Sequence, residues 1–312
     1  MAAVELIADG GAAASDDEFF RSAQFLVAEG TTHTLLVEAG GARAALPLVV
    51  RAIPGSDRRD AISPYSYPGA RREGGSIDAA AVDLGASGLV SAFIRDRLDG
   101  PPTFADPTER SVVLLADPEL PPKSRMSDRQ QIRKNEAAGY ELRRIAGPEA
   151  GDDDLEAFHS VYTETMRAVD AAERYLFDRD YFAALLGFPR SWLVTVTGPA
   201  GDVAAAALTA VSDGFLHYYL SGTADAHRRR APSKNLIVAC SEHAAELGMA
   251  LNLGGGVKPG DGLEEFKRGF ANRELPFRTH ELICDRAAYA ELSRGRRDDG
   301  YFPLYRAPGS GD

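Results

Sequence analysis

Asn252-Leu253-Gly254-Gly255-Gly256-Val257-Lys258-Pro259-Gly260-Asp261-Gly262-Leu263-Glu264-Glu265-Phe266-Lys267-Arg268-Gly269-Phe270 is the stretch on which the reading of this chain turns. A short apolar run ends at Leu253, a glycine-rich turn follows, and a helix is predicted over 261–268. Glycines between a strand and a helix form the pattern of a dinucleotide phosphate loop. Only 52 residues follow Gly260, too few for the βαβαβ half that would hold a nucleotide. Two readings of the glycines remain: a tight turn, or a place where backbone N–H groups approach a ligand oxygen. Asp261 and Glu264 have the spacing of a capping box. Lys267, taken alone, would only complement the dipole at a helix C-terminus.

Upstream, a long helix is predicted from Pro232 to about Leu247, with proline in a first-turn position and Gly248 as the stop. Before it come strands at 192–197, 203–211 and 215–221, and helices at 152–169 and 178–186. Downstream lie a strand at 277–284 and a helix at 286–294. The first half reads as a helix at 16–29, then a hairpin of 34–38 and 44–51 around Gly40-Gly41. A Pro-punctuated aromatic loop at 60–70, a helix at 86–98 and a strand at 111–115 follow. A basic helix at 127–138 and a strand at 140–145 close this half. Both halves run helix, hairpin, strand, helix, strand, which predicts two α/β lobes around mixed sheets, divided as 1–146 and 147–312.

With 44% hydrophobic and 26% charged residues the composition suits a packed core. No apolar run approaches the ~18 residues of a membrane span, and the first residues lack the basic start and apolar segment of a signal peptide. A cytoplasmic protein is the expectation. Cys240 and Cys284 form no metal or redox motif, and the six histidines show no metal-ligand spacing, so no metal is expected. A net charge of −11 argues against a surface coated in nucleic acid. Local basic patches still act over a Debye length, about 8–10 Å. One such set is Arg228, Arg229, Arg230 and Lys234; another is Lys123, Arg125, Arg129, Arg133 and Lys134. There is no Gly-x-Ser-x-Gly and no reason to nominate a Ser/His/Asp triad.

Several motifs occur in a telling order: Ser63-Pro-Tyr-Ser-Tyr-Pro-Gly69, Tyr218-Tyr-Leu-Ser-Gly222, the long helix, Leu253-Gly-Gly-Gly256, Phe266-Lys267-x-x-Phe270 and Tyr301-Phe-Pro-Leu-Tyr-Arg306. In that order they resemble the Fem-type transferases over nearly the whole chain. The resemblance implies two tandem lobes of the acetyltransferase (GNAT) fold, here without a coiled-coil arm. It implies transfer of an amino acid, alanine for instance, from aminoacyl-tRNA to an amine of a peptide, usually a peptidoglycan precursor, with no cofactor. Lys267 then stabilises the oxyanion of the tetrahedral transition state, with Phe266 as its packing partner. Ser63, Tyr65, Tyr67, Arg71, Arg72 and one of Tyr218 or Tyr219 would hold the acceptor.

The phosphate-cradle signature of acetyl-CoA enzymes, Arg/Gln-x-x-Gly-x-Gly/Ala, falls on Arg228-Arg-Arg-Ala231-Pro232-Ser233. Both glycines are replaced and Pro232 offers no N–H, which argues against acetyl-CoA as donor. Arg228, Arg229, Arg230 and Lys234 would instead meet tRNA phosphates. No match is visible for residues that bind nucleotide-sugar phosphates, so the expected acceptor extends to a carrier-bound peptide of an antibiotic pathway. Two rivals stay open: an acyl-CoA- or carrier-dependent N-acyltransferase, and a non-catalytic RNA- or peptide-binding module.

Overall fold

The computed structural model describes residues 2–298 and 300–308. Strand β1 (Ala3–Ile7) precedes helix α1 (Ala23–Ala28), which Ser22 caps by accepting the Phe25 N–H. Strands β2 (His33–Ala39) and β3 (Ala42–Ala52) form the predicted hairpin, and Gly40 and Gly41 both take positive φ in its turn. Strands β4 (Arg59–Ile62), β5 (Arg71–Glu73), β6 (Ser91–Arg95) and β7 (Thr108–Ala116) come next. Helix α2 (Met126–Ala137), β8 (Glu141–Ala146), α3 (Asp152–Ala168) and α4 (Arg179–Leu186) follow. Then come β9 (Ser191–Thr197), β10 (Val203–Ser212), β11 (Phe215–Thr223), α5 (Ser233–Glu246) and β12 (Ala250–Gly254). Helix α6 (Gly262–Arg268), β13 (Arg273–Ile283) and α7 (Arg286–Leu292) complete the order.

The chain divides into two compact units. One is Met1–Arg110 with Pro276–Asp312, and the other is Ser111–Leu275. The first contains a sheet in the order β1-β2-β3-β4-β6-β13, with β5 also on β3; only β4/β6 is parallel. The second contains β7-β12-β11-β10-β9-β8, and only β11/β12 is parallel. Each lobe is thus a mixed six-stranded path whose one parallel pair joins the fourth and fifth strands, counted from β1 in the first lobe and from β8 in the second. This is the mixed α/β, tandem GNAT-like architecture expected from the sequence.

The division does not follow 146/147. The sixth strand of the first lobe, β13, lies after the second lobe in sequence, and β7 and β8 both serve the second. The predicted helix at 86–98 is instead a 3-10 turn and strand β6, and the predicted 16–29 helix is a 3-10 turn plus the short α1.

Each lobe has its own core. The first gathers Leu35, Leu46, Leu48, Ile77, Ile94 and Phe104. The second sandwiches α5, through Leu236, Ile237, Cys240 and Ala244, against Val194, Val196, Leu216 and Leu251. The terminal Tyr301–Arg306 motif buttresses the first lobe. The Tyr305 hydroxyl lies 2.7 Å from Ser91 Oγ and 3.1 Å from the buried Asp60 carboxylate, which also accepts from Arg51 and Arg306. A buried carboxylate needs such partners to remain charged.

Candidate functional site

The second lobe opens a fork where its two parallel strands part. Pairing of β11 with β12 covers only Phe215↔Ala250 to His217↔Asn252, although β11 runs on to Thr223. The register of β11 against β10 also shifts there: Thr209 faces Tyr218 and Leu208 faces Leu220, leaving Tyr219 as a bulge. Beyond His217, backbone groups of β11 therefore face away from a ladder on the β12 side. β12 ends in the glycine turn.

Each glycine of that turn has its own reason. Gly254 has a φ of +72°. A Cβ on Gly255 would come within 2.7 Å of the Val112 carbonyl, and one on Gly256 within 2.4 Å of Asp261 Oδ1. Asp261 Oδ1 accepts the Glu264 N–H at 2.8 Å, while Oδ2 accepts those of Val257 and Lys258 at 2.7 and 2.8 Å. These bonds, chiefly the one from Glu264, hold its carboxyl below the usual range. The reciprocal half of the predicted capping box differs. Glu264 reaches Gly260 N at 2.9 Å rather than the cap residue, and pairs with Arg268.

The result is a short helix, α6, aimed by its own N-terminal loop. In its last turn Lys267 folds back so that Nζ donates to the Gly255 carbonyl at 2.8 Å. Burial pulls this ammonium down to about 8, with Asp261 opposing the shift. Phe266 stands edge-on to Phe270 at 5.6 Å and packs against the lobe core. Lys267 and Phe266 are therefore brought together with the glycine run, as the motif implied. Tyr218 and Tyr219 separate. Tyr218 packs in the α5 core, where burial pushes its phenol up. Tyr219 places its hydroxyl 3.3 Å from that of Tyr181, whose ring stacks on Phe177 at 3.9 Å.

The basic set resolves into different jobs. Residues Asp225–Arg230 form a 3-10 turn, Ala231 takes φ +47°, and α5 starts after Pro232 without a side-chain cap. Arg228 pairs with Asp225, whereas Arg229 and Arg230 are exposed. Lys234 pairs at 2.8 Å with Asp128, itself buried on α2, so it ties two helices together. Asn135 Nδ2 donates to the Arg230 carbonyl at 2.9 Å and to Asn235 Oδ1 at 2.8 Å. His227 is held between Asp202, 2.7 Å from Nε2, and the Tyr140 hydroxyl, 2.8 Å from Nδ1. The turn is pinned from both sides. Asp202, beside that imidazole, is held below the usual carboxylate range.

Ser63, Tyr65, Tyr67, Arg71 and Arg72 all lie in the first lobe. Ser63 is buried, and its Oγ accepts the Arg95 N–H at 2.9 Å. Tyr67 packs edge-on against Phe20 and Phe277. Arg72 Nη1 donates to the carbonyls of Pro101 and Pro102 at 2.9 and 2.8 Å, so its guanidinium clamps a loop. Tyr65 is 42% exposed with the Arg95 guanidinium 5.9 Å from its ring centre, and Arg71 is exposed on β5. These last two are the members of the set that reach the surface. A cavity of about 910 Å³ in this lobe, between Asp83, Leu84, Cys284 and Arg286, contains none of the five. A smaller one of about 430 Å³ in the second lobe is lined by Lys123, Arg268, Arg273 and Glu274. Among the described residues no group of three His, Cys, Asp or Glu side chains is placed to hold a metal ion, and no helix is long and apolar enough to cross a membrane.

Sequence reasoning missed His217 and Asn252, buried polar residues at the base of the fork, 2.8 Å apart. Asn252 opens the glycine-rich stretch and His217 precedes Tyr218, yet no role is read for either there; only a polar residue within an apolar strand pattern could have marked them.

Residues 122–268 match the acetyltransferase (GNAT) domain family. Among solved structures, FemX superposes with a TM-score of 0.60 at 10% identity, covering 86% of this chain and 93% of that one. The C-terminal domain of a putative lysylphosphatidylglycerol synthetase from Agrobacterium fabrum superposes with a TM-score of 0.56 at 14% identity, covering 89% and 93%. At these identities the likeness is one of fold. No curated protein matches the chain in sequence.

Proposed function

We propose that this protein is an acyltransferase that moves an amino acid from aminoacyl-tRNA to the free amine of a peptide, forming an amide bond. The observation that carries the reading is Lys267: an amine drawn out of water at the mouth of the β11/β12 fork and oriented by one carbonyl, with Asp261 the acid that acts on its charge. Attack of an amine on an ester carbonyl develops an oxyanion, and a preorganised N–H donor in a dry site stabilises that charge without reorganising. The attacking amine, once it has lost its proton, needs no activated side-chain nucleophile. As the tetrahedral intermediate collapses and its C–O bond to the ribose breaks, a proton from the attacking nitrogen passes to the leaving ribose oxygen.

An aminoacyl-tRNA donor is supported by the Fem-type motifs, by a fold likeness to FemX, and by the exposed Arg229 and Arg230 at the start of α5. The acceptor is taken to be a peptide amine, either in a wall precursor or held on a carrier. One observation favours the acyl-CoA rival: Ala231 keeps a left-handed turn before a helix N-terminus that no side chain caps, the kind of end that can face a phosphate, although the Lys234 N–H already donates to the Ala231 carbonyl.

A donor screen decides between them. Charged tRNAs and acetyl-CoA are offered with a panel of peptide amines, and products are read by mass spectrometry with and without RNase. An aminoacylated, RNase-sensitive product is expected. An acetylated product that survives RNase overturns the donor assignment.

A further inference from the structure

Beneath the fork runs a chain of four hydrogen bonds. It begins at the β10–β11 turn, where His217 Nε2 lies 3.0 Å from the Ser212 carbonyl. His217 Nδ1 lies 2.8 Å from Asn252 Nδ2, across the last parallel pair of the sheet. Asn252 Oδ1 accepts the Gly254 N–H at 2.7 Å, and one residue further along the backbone the Gly255 carbonyl accepts from Lys267 Nζ at 2.8 Å. His217 and Asn252 are each buried.

Donor and acceptor chemistry assigns every proton in this chain. A backbone N–H only donates, so the Asn252 atom facing Gly254 is its oxygen. That turns the Asn252 amino group toward His217, whose Nδ1 must then accept. The ring proton sits on Nε2, where the Ser212 carbonyl can take it. The Nε2–H tautomer of His217 fits these bonds.

The same bonds hold the bend. The register of β12 against β7 shifts between Asn252 and Gly254, and Gly254 has positive φ. Asn252 takes up the N–H that the shift withdraws from the ladder, and the bend turns the Gly255 carbonyl onto the amine. That carbonyl occupies one of three ammonium N–H bonds and so directs the other two. We infer that His217 and Asn252 are positioning residues for Lys267, acting through the Gly254–Gly255 bend to aim its amine. The inference rests on the reading of Lys267 as the catalytic group. It assigns a role to two residues that touch no substrate.

The test uses the five lysines, 123, 134, 234, 258 and 267, whose acetylation is assigned to each residue by fragmenting the tryptic peptides, Lys258 and Lys267 sharing one because Pro259 blocks cleavage. Trace acetylation with acetic anhydride across a pH series, read by mass spectrometry, gives the titration of Lys267 in the full chain. In His217→Phe the midpoint rises by about one pH unit as the bend loosens and water reaches the amine. In His217→Gln, which keeps an acceptor and a donor, it stays at the wild-type value. With an active donor, His217→Phe lowers kcat about tenfold and leaves KM within about twofold. A folded His217→Phe protein with an unshifted midpoint overturns the inference. So does an Nδ1–H tautomer in the imidazole ¹⁵N spectrum of the wild-type protein, a measurement that needs no variant to fold. Failure of the catalytic reading shows separately, as full transfer activity in Lys267→Ala.

Discussion

Lys267 combines two properties that pull against each other. Its ammonium must be charged to stabilise an oxyanion, yet burial lowers it to about 8. Since a depressed lysine loses its proton as pH rises through its own pKa, kcat should fall on the alkaline side with a midpoint at about 8. Lys267→Arg, charged at every accessible pH, should abolish that limb while lowering the maximal rate. Lys267→Ala should cost about 10²–10³-fold in kcat, as loss of one oxyanion donor does elsewhere. Rate against pH for the three proteins checks all of this. At this scale the sequence was partly legible. The Phe266–Lys267 pair and the glycines were readable because a motif keeps them within one loop and helix. His217 and Asn252 were not, because parallel register alone brings residues so distant in sequence together. Ser63 and Arg72 looked like acceptor contacts in sequence, but their bonds to Arg95 and to the Pro101 and Pro102 carbonyls depend on tertiary structure.

The basic turn before α5 is an element built from unequal parts. Lys234 neutralises the buried Asp128, so Lys234→Ala strands a carboxylate and should lower stability by about 2 kcal/mol. Arg229→Ala with Arg230→Ala should leave the melting temperature unchanged and flatten the salt dependence of tRNA binding. Thermal melts beside filter binding at two salt concentrations distinguish the roles. Ala231, at φ +47°, carries a steric cost that glycine does not. Ala231→Gly should therefore stabilise the chain by about 0.5–1 kcal/mol in a denaturant titration. Strand β6 shows why elements can be misread. Leu89, Val90, Phe93 and Ile94 recur at intervals of three and four, as on a helix face. They do so in part because Ser91–Arg95 is flanked by strands on both sides and largely buried, so its apolar run does not alternate. Gly88, left-handed at φ 68°, was the punctuation that separated the turn from the strand.

For the molecule as a whole, acid sensitivity has an identifiable source. His243 is buried edge-on to Trp192 at 4.5 Å, and its Nδ1 has no hydrogen-bond partner. Burial, with Arg144 adding to it, lowers this imidazole to about 4. Its folded pKa lies below the unfolded one, so the unfolded chain binds more protons between about 4 and 6.5. Stability is full above that window and is lost as pH falls through it, by about 3 kcal/mol. Denaturant unfolding at pH 7 and pH 4.5 should show the loss, and His243→Phe should remove most of it. The lobe plan was legible as a repeated order of elements. Its boundary was not, because β7 and β13 each complete the sheet that follows or precedes them by a long detour.

That detour bears on how the chain is made. Ser111–Leu275 is one continuous run, so it has all its strands soon after it leaves the ribosome. The strands from β1 to β6 must wait through its whole synthesis for β13 to emerge. Until then β6 offers an unpaired edge, the kind of surface that chaperones cover and that aggregates when they do not.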